Sequence, residues 1–281
     1  MKAIALTALF ATSLTHALDI DQFYLAAKAF VGMADSGGHG FAHFSNVKTT
    51  PTGLDKHKGI VIKNVQVHAI YYGKEIVTYA SQLNDFYSKI TDSPWMDLMN
   101  QYGVERGSFL NGSFFMPTST ENHSNMTDSK IRALLLEMVK EGDINPTEST
   151  YFPIHFSAGT VITASDGTVS CNDWCGYHDY IPLNGIVPGA AHLYYGVIPD
   201  FGEKSHCRRG CGSGTALENL EKTAGHELAE VVTDPIPGEG WFQTSLGLSG
   251  EIADVCAGES TMQIGGSSLV AQAIWSNAAG R

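Results

Sequence analysis

The sequence predicts one mixed domain, α/β or α+β, with a mixed central sheet and a metal-site helix late in the chain. Three observations carry this. Runs of β-branched and aromatic residues alternate with segments of helical period between residues 60 and 232. Apolar residues make up 43% of the 281, enough for a real core. A helix with its own capping box carries a histidine and a glutamate one turn apart.

The elements follow in order. Met1-Lys2, the apolar stretch Ala3–Leu14 and Thr15-His16-Ala17 have the layout of a secretory signal peptide, residues 1–17. The apolar run is too short to span a bilayer, which needs about 20 residues. Residues 18–58 read as a short helix, 20–33, followed by a flexible arm rich in Gly, His, Ser and Thr. The main domain is expected over residues 59–281.

Ile60–Tyr72 is the clearest strand, and Gly73 ends it. Glu75–Ile90 has helical spacing through Ile76, Tyr79, Leu83, Phe86 and Tyr87. Ser93-Pro94 opens a second helix, with proline in the first turn. Phe114-Phe115 predicts a short strand. Thr127–Lys140 predicts a helix with Ile131, Leu134, Leu135 and Met138 on one side. Tyr151–Ala164 predicts two short strands, and His192–Ile198 another.

Composition narrows the function. Acidic residues outnumber basic ones 29 to 17, a net charge of −12. A nucleic-acid binder needs a basic footprint, and anionic lipid attracts basic segments, so both are disfavoured. No integral membrane segment is expected. Sequons at Asn111, Asn122 and Asn125 fit an exported glycoprotein. The five cysteines are Cys171, Cys175, Cys207, Cys211 and Cys256. An oxidising compartment favours disulfides and makes Cys256 the odd one, but the connectivity stays open. A zinc-thiolate site is the alternative.

The last helix carries the chemistry. Thr215 and Glu218 form the capping box, and Thr233-Asp234-Pro235 stops the helix, Asp234 capping the turn. Leu217, Leu220, Ala224, Leu228 and Val231 make an apolar stripe. His226, Glu230 and Thr223 share another sector, with Glu227 between the two. Such a helix suits the wall of a polar cleft. A neutral imidazole and a carboxylate one turn apart can bind one zinc ion. The intervening carboxylate, Glu227, can then act as general base on a water whose pKa the metal has lowered. Further ligands can come from Glu251 and Asp254, with His178 and His192 as alternatives. No Gly-x-Ser-x-Gly elbow and no phosphate-cradling Gly-Lys-Ser/Thr loop occurs.

Several segments together resemble the EXORDIUM-like family of secreted proteins, also called phosphate-induced proteins. They are Ala69-Ile70-Tyr71-Tyr72-Gly73, Cys175-Gly176-Tyr177-His178, His226-Glu227-Leu228-Ala229-Glu230, Glu251-Ile252-Ala253-Asp254-Val255-Cys256 and Trp275-Ser276-Asn277. The resemblance implies an extracellular or cell-wall protein linked to growth control in plants, with relatives in microbes. His226, Glu227 and Glu230 also resemble the helix of zincin-type metallopeptidases, with Glu230 where a second histidine is usual. Relatives tend to continue past Asn277 to a further cysteine, which implies that Cys256 is unpaired here.

Two functions follow. One is a secreted zinc hydrolase, peptidase-like, with an extracellular peptide or cell-wall component as partner. The other is a non-catalytic extracellular growth-signalling or binding protein, with Trp174, Tyr194, Tyr195 and Trp241 as stacking surfaces.

Overall fold

The computed structural model describes residues 40–41, 52–117, 124–203, 205–208, 211–256, 261–263 and 269–280. The expected signal segment 1–17, the expected helix 20–33 and the sequon at Asn122 lie outside the described residues. All described residues belong to one unit, 35–281.

The elements run β1 (Gly40–Phe41), β2 (Asp55–Lys56), β3 (Asn64–Tyr72), α1 (Val77–Ile90), α2 (Pro94–Asp97), β4 (Glu105–Phe115), β5 (Asn125–Thr127) and α3 (Asp128–Glu141). They continue β6 (Thr150–Phe156), β7 (Val161–Thr163), β8 (Tyr177–Pro182), β9 (His192–Ile198), α4 (Ala216–Thr233), β10 (Trp241–Phe242), β11 (Thr261–Gln263) and β12 (Val270–Gln272).

The central sheet has the order β1-β8-β9-β6-β3-β4. Strands β9, β6, β3 and β4 are parallel, while β8 and β1 join antiparallel. The fold is therefore mixed α/β, as the sequence predicts. Parallel strands need crossover helices, which cover both faces and bury the strands. Every residue of β6 is buried.

Strand alternation sends side chains to two different helix layers. His155 of β6 meets the Tyr87 hydroxyl of α1, and His178 of β8 faces α4. On the opposite face, Tyr177 of β8 and Tyr195 of β9 both donate to Asp128 of α3. Arg132 of α3 closes that layer with ion pairs to Asp128 and Asp179. Leu83, Phe86, Leu220, Ala224, Leu228 and Val231 fill the core between α1, α4 and the sheet. Each large apolar side chain so buried contributes about 1.5–3 kcal/mol.

Two elements depart from expectation. β4 is a full edge strand, not a short one at Phe114-Phe115, because it pairs only with β3 and its residues are largely exposed. Its composition, ERGSFLNGSFF, therefore lacks the apolar signature of the inner strands. Strand β8 was not foreseen. From the predicted arm, Gly40–Phe41 pairs with β8 and Asp55–Lys56 pairs with Trp241–Phe242.

Cys171 is bonded to Cys207 and Cys175 to Cys211, so the zinc-thiolate alternative is ruled out. Cys256 is the free cysteine among the described residues. Asn111 lies on β4 and Asn125 on β5, and both are exposed.

Candidate metal centre

Helix α4 begins with the reciprocal cap that the sequence indicates. Glu218 N–H donates to the Thr215 hydroxyl, and Glu218 accepts from Thr215 N–H at 2.7 Å. The Cys175–Cys211 bridge lies four residues before that cap and three residues before His178, so one covalent link ties β8 to the start of α4. At the other end, the Asp234 carboxylate accepts from the N–H groups of Gly238 and Glu239 and from Gly240. This turn returns the chain so that Glu251 and Asp254 reach α4.

The side chains converge. His226 Nε2 lies 3.0 Å from Glu230 Oε1 and 3.4 Å from Asp254 Oδ1. His178 Nδ1 lies 3.5 Å from Glu227 Oε2 and 3.7 Å from Glu230 Oε2. His178 Nε2 lies 3.6 Å from Glu251 Oε1. The sequence offered Glu251, Asp254 and His178 as alternatives; the structure brings all three in. His192 belongs to neither group and stands at the start of β9 beside Tyr180 and Tyr194.

Hydrogen bonds outside the cluster orient both imidazoles. His178 Nε2 is 3.0 Å from the Asp234 carbonyl, which can only accept, so Nε2 carries a proton. Gln272 Nε2 donates to the Ala253 carbonyl at 2.7 Å. Its Oε1 therefore faces His226 Nδ1, at 2.9 Å, and accepts a hydrogen bond from its N–H. In the neutral rings, His226 Nε2 and His178 Nδ1 are left as lone pairs directed at carboxylates. Lone pairs repel carboxylates unless a proton or a metal ion lies between them.

Burial makes this costly. His178, His226, Glu227, Glu230 and Glu251 are 0% exposed and Asp254 2%. All eight oxygens of the four carboxylates lack a hydrogen-bond partner among the described residues. Leaving buried ionised groups without partners costs several kcal/mol each. Burial pushes the Glu227, Glu251 and Asp254 carboxyls upward, and the Glu230 charge adds to the rise. Burial opposes ionisation of Glu230 as well, but His226 and His178 outweigh it and hold Glu230 below the usual range. Burial disfavours both imidazolium ions, yet the surrounding carboxylates raise them well above the ordinary histidine value.

The donor set fits a cation. His178, Glu230 and Glu251 can each present one ligand atom within 4.8 Å of the others, and so can His226, Glu230 and Asp254. Nitrogen and carboxylate oxygen are suitable ligands for zinc and for harder divalent ions.

Sequence reasoning missed several residues of this site. Gln272 lies 46 residues past His226, on a three-residue strand with no motif around it. Gly176 is quoted in the family motif, but its role is spatial: a Cβ there would lie 2.6 Å from Glu227 Oε1 and 2.7 Å from Thr223 Cγ2. The Tyr151 phenol is buried, has no hydrogen-bond partner among the described residues, and is raised by burial and by Glu227 and Glu230. The expected polar cleft is also corrected. Residues 223–233 of α4 are buried on every side because β8, β9, α1 and β12 enclose the helix. Of the aromatics considered for stacking, Trp174, Tyr194 and Tyr195 are buried, and Trp241 is half-buried with its indole donating to the Tyr102 carbonyl.

The curated relative found is Protein EXORDIUM-like 5 of Arabidopsis thaliana, 23% identical over 236 residues. The match covers 73% of this chain and 64% of that protein, so the chain spans a little under two thirds of its relative's length. No family model matches the chain. No solved structure matches it. Among the described residues, no helix is long and apolar enough to cross a membrane.

Proposed function

We propose that this chain is a secreted EXORDIUM-like protein with a zinc-dependent, peptidase-like hydrolase site centred on α4. The observation that carries the proposal is the convergence of two imidazoles and four carboxylates in one buried cluster, the carboxylate oxygens having no hydrogen-bond partner among the described residues. His226, Glu230 and Asp254 hold the ion, with Glu251 and His178 beside them. The likeness of α4 to a zincin helix rests on the His226-Glu227-x-x-Glu230 pattern. A bound zinc ion supplies a Lewis acid and lowers the pKa of its water to about 7.

Glu227 acts as general base. Its carboxylate makes no hydrogen bond among the described residues, and the backbone at Gly176 packs closely against it, where a Cβ would lie 2.6 Å from Oε1. The Tyr151 phenol is available to donate a hydrogen bond to a substrate oxygen. The expected signal peptide, the two disulfides and the likeness to EXORDIUM-like 5 all support an extracellular or cell-wall location. An extracellular peptide or wall component is then the substrate.

One observation favours a second reading, a non-catalytic extracellular protein with a structural metal centre. Structural zinc sites are closed while catalytic ones keep a position open, and this cluster is fully buried. Metal content of the secreted protein by mass spectrometry, with peptide hydrolysis assayed alongside, separates the readings. Bound metal lost in His226→Ala, with hydrolysis lost in Glu227→Gln while metal stays, supports the enzyme. Bound metal without hydrolysis supports the structural centre. Metal-free protein overturns both.

A further inference from the structure

The cluster contains more negative charge than one divalent ion can offset. Four carboxylates, Glu227, Glu230, Glu251 and Asp254, are buried around two imidazoles, and their ion-pair contacts run to those imidazoles. With neutral rings and all four carboxylates ionised, one divalent ion leaves two uncompensated negative charges in the interior, and two divalent ions leave none. A buried unpaired charge carries a large desolvation cost, so a single ion requires two of the carboxyls to hold protons, whereas two ions balance all four without them.

The geometry divides in the same way. The ligand groups are His226/Glu230/Asp254 and His178/Glu230/Glu251, and they share one residue, Glu230. The two oxygens of Glu230 are not directed at the same imidazole. Oε1 lies nearest His226 and Oε2 faces His178. A carboxylate with one oxygen in each of two ligand groups is a bridge. Donor pairs about one metal are separated by roughly 3–3.5 Å when each bond is near 2.1 Å, and the His226 separations of 3.0 and 3.4 Å match. The second group is looser: His178 Nδ1, the nitrogen left free for an ion, lies 3.7 Å from Glu230 Oε2, while Glu251 Oε1 lies 3.6 Å from Nε2, so Glu251 must turn to share an ion with Nδ1. Each histidine is oriented from outside the cluster, His226 by Gln272 and His178 by the Asp234 carbonyl, as metal-ligating histidines usually are. Two histidines with four carboxylates is also the donor set that known dinuclear carboxylate centres use.

We infer that the α4 cluster is a dinuclear centre, in which Glu230 bridges one divalent ion held by His226 and Asp254 to a second held by His178 and Glu251. The inference rests on the metal-binding part of the function proposed above and extends it from one ion to two. Glu227 then lies on the His178 side, next to the second ion, which places the general base between the bridge and Gly176.

The test uses the full secreted chain, stripped with chelator and reloaded with Zn²⁺ for mass spectrometry and with Mn²⁺ for electron paramagnetic resonance. The expected results are two Zn²⁺ per chain and an exchange-coupled Mn²⁺ spectrum. Glu251→Gln should retain one ion and lose the coupling, and Glu230→Gln should lose both ions. If a variant misfolds, a Co²⁺ absorbance titration of the native chain still decides, with a break at two equivalents expected. One ion per chain overturns the dinuclear centre and leaves the mononuclear site standing. Two ions without coupling, or two that survive Glu230→Gln, overturn the bridge. No ion overturns the metal reading itself.

Discussion

His226 Nδ1 lies 2.9 Å from Gln272 Oε1, and this one contact fixes which ring nitrogen faces Glu230. The Gln272 amide is held in turn by its donation to the Ala253 carbonyl, one residue before Asp254. A side chain on β12 therefore sets the orientation of His226 on α4 and holds the segment that supplies Asp254.

Gln272→Ala removes both hydrogen bonds without touching a ligand atom. Metal affinity should fall about 10–100-fold, the usual effect of losing a partner that orients a metal-binding histidine. Competition with a chromophoric chelator measures it. Unchanged affinity with a native circular dichroism spectrum would mean that Gln272 does not orient His226.

Gly176→Ala tests the packing of β8 on α4. The added methyl would lie 2.6 Å from Glu227 Oε1 and 2.7 Å from Thr223 Cγ2, so either the carboxylate or the helix must move. Overpacking of this kind costs about 1–3 kcal/mol. Urea unfolding should show that loss, and any hydrolysis should drop further than metal content does. A variant as stable and active as the parent would remove Gly176 from the site.

Replacing Cys175 and Cys211 together by serine should lower stability by about 2–4 kcal/mol, the usual contribution of a disulfide. It should also weaken metal binding, because the bridge ties the strand of His178 to the start of α4. Urea midpoints and chelator competition on the double variant report the two effects. Loss of stability with full metal affinity would separate the bridge from the site.

Glu221 predicts a pH effect away from the cluster. Burial raises its carboxyl from 4.5 to about 7, partly offset by the hydrogen bond it accepts from Val270 N–H. The folded chain therefore holds this proton more tightly than the unfolded chain does. Its contribution to stability is complete below pH 4.5 and is lost as pH rises through about 7. Glu221→Gln mimics the protonated form, so it should raise Tm at pH 8 and leave it unchanged at pH 4. Equal effects at both pH values would refute this.

Much of the fold was legible in the sequence because local physics fixed it. The helix from Ala216 to Thr233 was readable from Thr215, Glu218 and its apolar period, and the reciprocal cap forms as read. The inner strands β3 and β9 were readable because burial on both faces requires continuous β-branched and aromatic residues. Strands β4 and β8 were not. One is an exposed edge, and the other, YHDYIP, carries polar residues because it serves Arg132 on one face and the carboxylate cluster on the other. His226, Glu227 and Glu230 were readable as a set because helical spacing alone places them on neighbouring faces. Only the tertiary structure decided that Glu251, Asp254 and His178 all join them, that Gln272 orients His226, and that the whole group is buried. Those contacts join residues 19 to 73 positions apart in the chain, beyond the reach of any local period. Sheet order, turn geometry and the Cys175–Cys211 link brought them together.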